Sequence, residues 1–301
     1  MGCMLPVLLS ALRTARLDGI SRKIAAAGAA CVSAITVTAL VFGLACRDGG
    51  CPRTVEWSEE TWGGVKSKNE YCEFADTASI VQTIANSFSN AGFVCVGTII
   101  IFVGINDMLY PSPSAGSQRV AVAHARVGPY ISVLWGLSQV YVGAGSFMYH
   151  ASRTPLAQRI DVAAIYSTLS VPILYDLIRF THWEQRPRAA AVCFAIIEIA
   201  LSVLAVVYKH KMRSTVMLPT LIAVDILLQL FYYLVWPGRL QTRRRLSAAG
   251  WLLMATALAL GGIAFGIRSI DRGKDCPFPE RGVFQAHALF HVLASAALGF
   301  G

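Results

Sequence analysis

Eight long apolar stretches constrain this chain more than any other feature of its sequence. A helix needs about 20 consecutive, mostly apolar residues to cross the hydrocarbon core of a bilayer. The eight stretches come close to or exceed that length, and segments rich in charge or proline separate them. They cover residues 24–46, 83–106, 128–149, 156–178, 189–208, 215–236, 248–267 and 284–301. We therefore predict an all-α fold, a polytopic transmembrane helix bundle with seven core helices and one extra N-terminal span.

The composition excludes the main soluble classes. Hydrophobic residues make up 55% of the chain and charged residues only 14%, whereas soluble domains carry about 25% charged residues. A soluble globule, a disordered chain, a disulfide scaffold and a coiled coil are all excluded on this ground. The net charge of +9 indicates membrane anchoring rather than nucleic-acid binding, because the basic residues lie in short loops between apolar stretches.

The first 82 residues form a predicted N-terminal region, and residues 83–301 form the predicted catalytic domain. The N-terminal region has a basic start, one transmembrane helix and an acidic segment over residues 47–79. Basic residues divide equally between the two membrane sides, but the basic flank of the first span and the cluster at 243–245 favour a cytoplasmic N-terminus. This orientation puts Cys51, Cys72 and Cys276 on the lumenal side, where disulfides persist; the alternative is three free thiols.

Histidines concentrate at helix ends that are predicted to share one side of the membrane. His150 closes the third span, Asp161 lies near the start of the fourth, and His287 and His291 open the last. Spans that alternate in direction bring these three ends to the same side. Ser146 precedes His150 by four residues, the spacing that also separates the final two histidines. Four residues place both side chains of such a pair on one helix face.

This arrangement predicts a metal site. Three imidazoles and a water form the open tetrahedral zinc site that catalysis requires, and a nearby carboxylate can take a proton from that water. Histidines that hydrogen-bond between packed helices and a proton relay are the alternatives. The agreement in membrane side among the three histidines favours the metal.

These residues resemble a known family. Residues 143–150 read Gly-Ala-Gly-Ser-Phe-Met-Tyr-His, Asp161 follows eleven residues later, and residues 287–291 read His-Ala-Leu-Phe-His. They are similar to the Ser-x3-His, Asp and His-x3-His signature of the alkaline ceramidases. A superfamily of seven-helix lipid hydrolases, which includes progestin and adiponectin receptors and GPI-remodelling proteins, shares this signature. Residues 86–90, Asn-Ser-Phe-Ser-Asn, also resemble the Asn-Thr-x-Ser-Asn stretch of the ceramidases.

The resemblance implies a role for each residue. His150, His287 and His291 would bind zinc. Asp161 would act as general base toward the attacking water and then pass the proton to the leaving amine. Ser146 would orient the water or stabilise the oxyanion of the tetrahedral intermediate.

The resemblance also implies a calcium site before the first core helix. Its expected ligands are Glu70, Tyr71 and Glu73. Two other positions depart from the family, because Thr83 stands where the family has a glutamate and Ala75 lies near an expected asparagine. Calcium prefers six to eight oxygen ligands, so these departures weaken the site, and Asp76 is a candidate replacement.

A disulfide is the last structural feature that the resemblance implies. Cys72 pairs with Cys276 in this interpretation, and the alternative is that Cys51 replaces one of them. We expect a multi-pass protein of the endoplasmic reticulum or the Golgi.

The predicted activity is zinc-dependent hydrolysis of the ceramide amide to a sphingoid base and a free fatty acid. The implied partner is the membrane lipid ceramide, with no nucleic acid and no obligate protein partner. Val162 follows Asp161 where ceramidases often have an acid, so an ester in a phospholipid or GPI anchor is an alternative substrate. A lipid receptor with structural zinc and a proton-coupled transporter are the alternatives from other classes.

Two further acidic residues lie inside predicted spans. Glu198 and Asp225 are functional candidates by their position alone, since charged groups are costly inside a bilayer. Gln229 follows Asp225 by four residues. We interpret both acidic residues as partners in interhelical hydrogen bonds.

Overall fold

The architecture of the chain comes from a computed structural model, which describes residues 71–76, 79, 81–109, 119–181, 183, 186–208, 214–234, 248–271 and 284–300. The described part is all α-helical. The predicted N-terminal span, Cys51, Glu70 and Cys276 lie outside the described residues. The division at residue 82 therefore stays a prediction.

Eight helices follow one another in the described part of the chain. A short helix α1 precedes the long helix α2, and Asn90 alone separates the two. The helices are α1 Ile84–Ser89, α2 Ala91–Leu109, α3 Arg119–Ser152, α4 Pro155–Phe180, α5 Pro187–Tyr208, α6 Ser214–Leu234, α7 Ala248–Ile270 and α8 Ala286–Phe300.

The predicted all-α transmembrane bundle is confirmed. Five stretches are long and apolar enough to cross a membrane: Ile84–Leu109, Gly128–Ser152, Pro155–Ile178, Arg188–Tyr208 and Leu252–Ile270. Two shorter apolar helical stretches, Val216–Phe231 and Ala286–Gly299, lie in α6 and α8. These seven segments correspond to the seven predicted core spans. Helix α3 begins earlier than predicted, because its first turns precede the apolar stretch that marks the membrane segment.

The turn between α3 and α4 sets the direction of the chain next to the predicted site. Arg153 has a φ of 52°, the left-handed conformation that commonly ends a helix, and its N–H donates to the Tyr149 carbonyl oxygen at 2.6 Å. Thr154 then accepts the N–H of Ala157 on its hydroxyl at 3.4 Å, as an N-terminal cap does. Pro155 follows as the first residue of α4, a position where its missing N–H costs nothing. The chain therefore reverses within two residues.

Glycines let α2 and α3 approach until their backbones touch. A Cβ atom placed on Gly136 would lie 2.5 Å from the carbonyl oxygen of Gly97, and one placed on Gly97 would lie 2.5 Å from the carbonyl oxygen of Gly136. Small residues at helix contacts are the usual means of close packing in membranes, where apolar burial adds little. Gly143, further along α3, faces the Asn90 carbonyl oxygen in the same way, at 3.0 Å.

Two acidic side chains inside the bundle accept hydrogen bonds from other side chains. Glu198 on α5 accepts hydrogen bonds from Ser167 and Ser170 on α4, at 2.7 and 2.6 Å. This is the interhelical contact that the sequence indicates. The carboxylate of Asp225 accepts two bonds from Gln229 on its own helix, at 3.1 and 3.2 Å. Glu198 therefore ties α5 to α4, whereas the bonds to Gln229 stay within α6.

Replacing Gly136 with alanine should destabilise the bundle. The new Cβ would meet backbone atoms of α2, which cannot move aside as a flexible side chain can, so α2 and α3 would have to separate. We expect a loss of about 1–3 kcal/mol, the usual cost of overpacking, measured as lower thermal stability of the purified protein in detergent.

Gly262→Ala on α7 is the matched control. No atom of the described residues lies within 4 Å of a Cβ placed there, so the substitution should be neutral or stabilise the helix by up to ~1 kcal/mol. Equal stability losses in the two variants would contradict close backbone packing at Gly136.

Candidate metal centre

Three histidine rings meet at the end of the bundle where α3 finishes and α8 begins. The centroid of the His150 ring lies 4.9 Å from that of His287 and 5.0 Å from that of His291. The centroids of the His287 and His291 rings are 4.5 Å apart. One nitrogen from each ring lies within 4.8 Å of the others. All three side chains are buried, with 2–3% exposure. The structure thus brings together the three histidines that the sequence selects.

Hydrogen bonds from the segment before α1 hold His150 in place. The Thr83 hydroxyl donates to the His150 carbonyl oxygen at 2.6 Å. The backbone N–H groups of Thr83 and Gln82 donate to the carbonyl oxygens of His150 and Ala151, at 3.3 and 2.9 Å. Carbonyl groups in the last turn of a helix lack partners within the helix. The start of α1 therefore completes the end of α3 at the residue that carries the first imidazole.

A tyrosine ring and a carboxylate surround His287. The Tyr71 ring lies 3.9 Å from the His287 ring, with an interplanar angle of 30°, and 5.3 Å from the His150 ring. On another side of His287, the Asp271 Oδ2 atom lies 3.8 Å from Nδ1. Both side chains of this pair are nearly inaccessible to solvent. His287 thus contacts an aromatic ring and lies close to a buried acid.

A hydroxyl from α1 contacts the third imidazole. Ser89 Oγ lies 2.8 Å from His291 Nδ1 and also donates to the Asn86 carbonyl oxygen at 2.9 Å. The Phe93 ring approaches His291 edge-on, at 6.2 Å between centroids. Residues of α1 and α2 therefore determine how the His291 ring is oriented.

The two residues predicted to act on the substrate lie buried on neighbouring helices. Ser146 is one turn before His150 on α3, and Asp161 is two turns into α4; their exposures are 4% and 8%. Between them, a Cβ placed on Gly145 would lie 3.4 Å from the Cα atom of Asp161. The absence of a side chain at Gly145 lets the backbone of α3 come close to the helix that carries the acid.

Comparison with known proteins identifies the family. A family model described as Ceramidase matches residues 63–300, which is most of the chain. The protein belongs to the ceramidase family. A comparison with curated proteins finds no match. The family suggests ceramide hydrolysis and implies a hydrolase that acts on an amide of a membrane lipid, and its members generally depend on a metal.

Of the three residues expected to bind calcium, Tyr71 and Glu73 belong to the described part of the chain, and both contact other protein groups. Glu73 accepts the N–H of Ala85 on Oε1 at 2.6 Å and that of Asn86 on Oε2 at 2.9 Å, and it thus caps the start of α1. Asp76 has an exposed side chain. The calcium site stays a prediction, and the positions described here supply few ligands for it.

Burial changes the acidity of Glu73. Desolvation raises the pKa of Glu73 from 4.5 to about 7, against the backbone hydrogen bonds of Asn86 and Ala85, which lower it. The negative charge of Asp271 raises this pKa further. Glu73 lies outside the membrane segments, before the first one in the described part of the chain. Its protonation state therefore changes near neutral pH.

Cys72 joins the N-terminal side of the site to the end of α7. Its side chain is disulfide-bonded, and its Sγ atom lies 3.5 Å from the Asp271 carbonyl oxygen. Because Cys276 lies outside the described residues, its pairing with Cys72 stays a prediction. In the described part of the chain, Cys193 is a free thiol and Cys95 is buried.

Sequence reasoning assigned no role to Ser89, Thr83 or Asp271 at the histidine cluster. Ser89 lies in the Asn-Ser-Phe-Ser-Asn stretch that resembles the ceramidases, which is a signal for its place but not for its partner. Asp271 directly follows the last apolar residue of α7. That position puts it at the same membrane end as His287, so a count of helix directions could have found it.

Replacing Glu73 with glutamine should remove a pH-dependent part of the stability. Between pH 4.5 and about 7, the carboxyl group of Glu73 keeps its proton in the folded protein but has lost it in the unfolded chain. The contribution is therefore complete below pH 4.5 and is lost as the pH rises through about 7. We expect the stability of the wild type relative to Glu73→Gln to fall by about 3 kcal/mol across this window.

Thermal or denaturant unfolding of both proteins between pH 4.5 and 8, without added calcium, measures this difference. The comparison with Glu73→Gln cancels the titration of groups that do not interact with Glu73. A stability difference that stays constant with pH would contradict the raised pKa.

Proposed function

We propose that this protein hydrolyses the amide bond of ceramide within the membrane, with zinc as its metal, and releases a sphingoid base and a free fatty acid. The observation that carries the proposal is a cluster of three buried imidazoles, those of His150, His287 and His291. One nitrogen atom from each ring lies within 4.8 Å of the other two. Membership in the ceramidase family supports the substrate class.

The donor set fits zinc. Imidazole is a preferred zinc ligand, and three protein ligands with one open position are typical of catalytic sites. Nitrogen atoms in a tetrahedral site with bonds of about 2.0–2.1 Å lie ~3.4 Å apart, so small side-chain rotations are enough to close the site. When bound there, zinc would acidify a water molecule and polarise the substrate carbonyl.

Asp161 and Ser146 supply the remaining chemistry in this proposal. Asp161 takes a proton from the attacking water and delivers it to the amine as the carbon–nitrogen bond breaks. Ser146 orients the water or donates a hydrogen bond to the oxyanion. Hydrolysis of an amide requires both proton transfer and stabilisation of the oxyanion, because the amide carbonyl is a poor electrophile and its nitrogen is a poor leaving group. Their position on α3 and α4, within two helical turns of the turn at Arg153, supports these roles.

Ceramide reaches the site laterally from the bilayer in this proposal. Helix α7 packs along α8, which carries two of the three histidines, and it exposes large apolar side chains such as Leu258 and Ile263. A surface of this kind is compatible with lipid tails. Ceramide resides in the bilayer, so by this route it reaches the site without passing through water.

An oxidising compartment fits the state of Cys72. Its disulfide is the kind of bond that persists in the secretory pathway rather than in the cytosol. This supports our proposal that the protein lies in the endoplasmic reticulum or Golgi membrane, with this end of the bundle toward the lumen.

Removing one imidazole should abolish activity. For His291→Ala we expect ceramide turnover to fall at least ~1,000-fold, together with loss of bound zinc, because only two ligands remain. Purified protein in lipid nanodiscs, labelled ceramide, product detection by mass spectrometry and metal analysis measure both effects. Asp225→Asn is the matched control, since it alters a half-buried carboxylate on α6 and should keep both zinc and turnover.

The same assay separates this proposal from its alternatives. Turnover of phospholipid or GPI esters without ceramide cleavage would identify an ester hydrolase. Stoichiometric zinc without any turnover would favour a receptor, and absence of bound metal would contradict the proposed centre altogether.

Changes at Asp161 and Ser146 should reduce the rate without removing the metal. We expect Asp161→Asn to lower kcat by about 100- to 10,000-fold, as for loss of a general base. Ser146→Ala should lower it by about 100- to 1,000-fold, as for loss of an oxyanion donor. Zinc content should stay at the wild-type value in both variants. Unchanged kcat in either variant would remove that residue from the mechanism.

A further inference from the structure

The Ser89 hydroxyl contacts both a backbone carbonyl oxygen and a ring nitrogen of His291. Ser89 Oγ lies 2.9 Å from the Asn86 carbonyl oxygen and 2.8 Å from His291 Nδ1. A serine hydroxyl has one hydrogen to donate, and a carbonyl oxygen can only accept. With that hydrogen directed to Asn86, the Ser89 oxygen is left to accept a hydrogen bond. In that arrangement the Nδ1 atom of His291 carries the N–H.

This assignment determines which nitrogen faces the other imidazoles. In a neutral imidazole with Nδ1 protonated, the lone pair belongs to Nε2, which points away from Nδ1 on the far side of the ring. With Nδ1 occupied by Ser89, Nε2 is the nitrogen that His291 can offer to a metal. The hydrogen bond at one nitrogen thus selects the ligand atom at the other.

Asp271, at the end of α7, places a carboxylate beside His287. Asp271 Oδ2 lies 3.8 Å from His287 Nδ1, too long for a hydrogen bond, but both side chains are buried. A nearby carboxylate favours the proton on Nδ1, because the N–H dipole then points toward the negative charge. Carboxylates and other acceptors behind metal-binding histidines fix the tautomer and the ring orientation in this way.

Back-bonding to a helix carbonyl alone is the structural alternative for Ser89. Ser87, two residues earlier on α1, donates to the Thr83 carbonyl oxygen, as Ser89 does to Asn86. Within the described residues, Ser87 makes no hydrogen bond to the histidine cluster. Ser87 therefore shares the bond to a helix carbonyl with Ser89 but lacks the contact with Nδ1. The two serines therefore separate local helix effects from an effect on the imidazole.

We propose that Ser89 and Asp271 are positioning residues that hold the His291 and His287 rings with Nδ1 protonated, so that both present Nε2 to one metal ion. This inference rests on the proposed function, since it assumes that the histidine cluster binds zinc. It adds the residues that prepare the ligands before any substrate arrives.

Zinc affinity, measured by competition with a chromophoric chelator, tests the inference without any need for turnover. We expect Ser89→Ala to bind zinc 10- to 100-fold more weakly than the wild type, the usual effect of losing a partner behind a metal ligand. Ser89→Thr keeps the hydroxyl and should recover most of the affinity, and Ser87→Ala should stay within about twofold of the wild type. Asp271→Asn should also bind more weakly, while its backbone contact with Cys72 is preserved.

The outcomes distinguish this inference from the proposed function. A wild-type protein without zinc affinity would overturn both. Tight zinc binding by the wild type, with equal affinity in Ser89→Ala, would overturn the positioning role and leave the metal centre intact. Thermal unfolding of the metal-free variants separates folding effects: equal affinity losses in Ser89→Ala and Ser87→Ala, matched by equal losses of stability, would also overturn it.

Discussion

A histidine inside a bilayer must find its partners within the protein, because lipid tails offer none. Three such side chains meet in this molecule, and the surrounding helix ends are arranged around them. The end of α3, the starts of α1, α4 and α8, and the end of α7 all reach the same membrane side. Each of these ends contributes an imidazole, a buried acid or a hydrogen bond to a ligand-bearing residue.

The scaffold that holds the cluster depends on close contact between α2 and α3. Gly97 and Gly136 let the two backbones touch, and this contact fixes the height of α3 relative to α1 and α2. Thr83 can then reach the carbonyl oxygen of His150. Glu73 caps the same short helix from the other direction. Packing in the middle of the membrane thereby positions polar groups at its edge.

Buried carboxylates in this bundle serve different purposes, and their partners distinguish them. Glu198 is satisfied by two serines of the neighbouring helix, which is what a structural hydrogen bond between helices requires. Asp271 faces an imidazole of the histidine cluster instead. Asp161 lies where α4 approaches the glycine-rich end of α3. All three acids are buried, so burial does not distinguish them. Their neighbours do, because Glu198 joins two helices and the other two acids lie at the candidate site.

The sequence by itself determined the spans and the choice of histidines. Apolar length marks a membrane helix without knowledge of the fold, and the four-residue spacing of His287 and His291 is a local property of any helix. Alternation of the spans then put His150 at the same end. Tertiary structure decided the rest: Ser89 meets His291 across 202 residues of sequence, and Glu73 caps a helix where the family pattern predicts a calcium ligand. Such contacts depend on how each helix is rotated and how closely it packs, and the local order of residues does not encode either quantity.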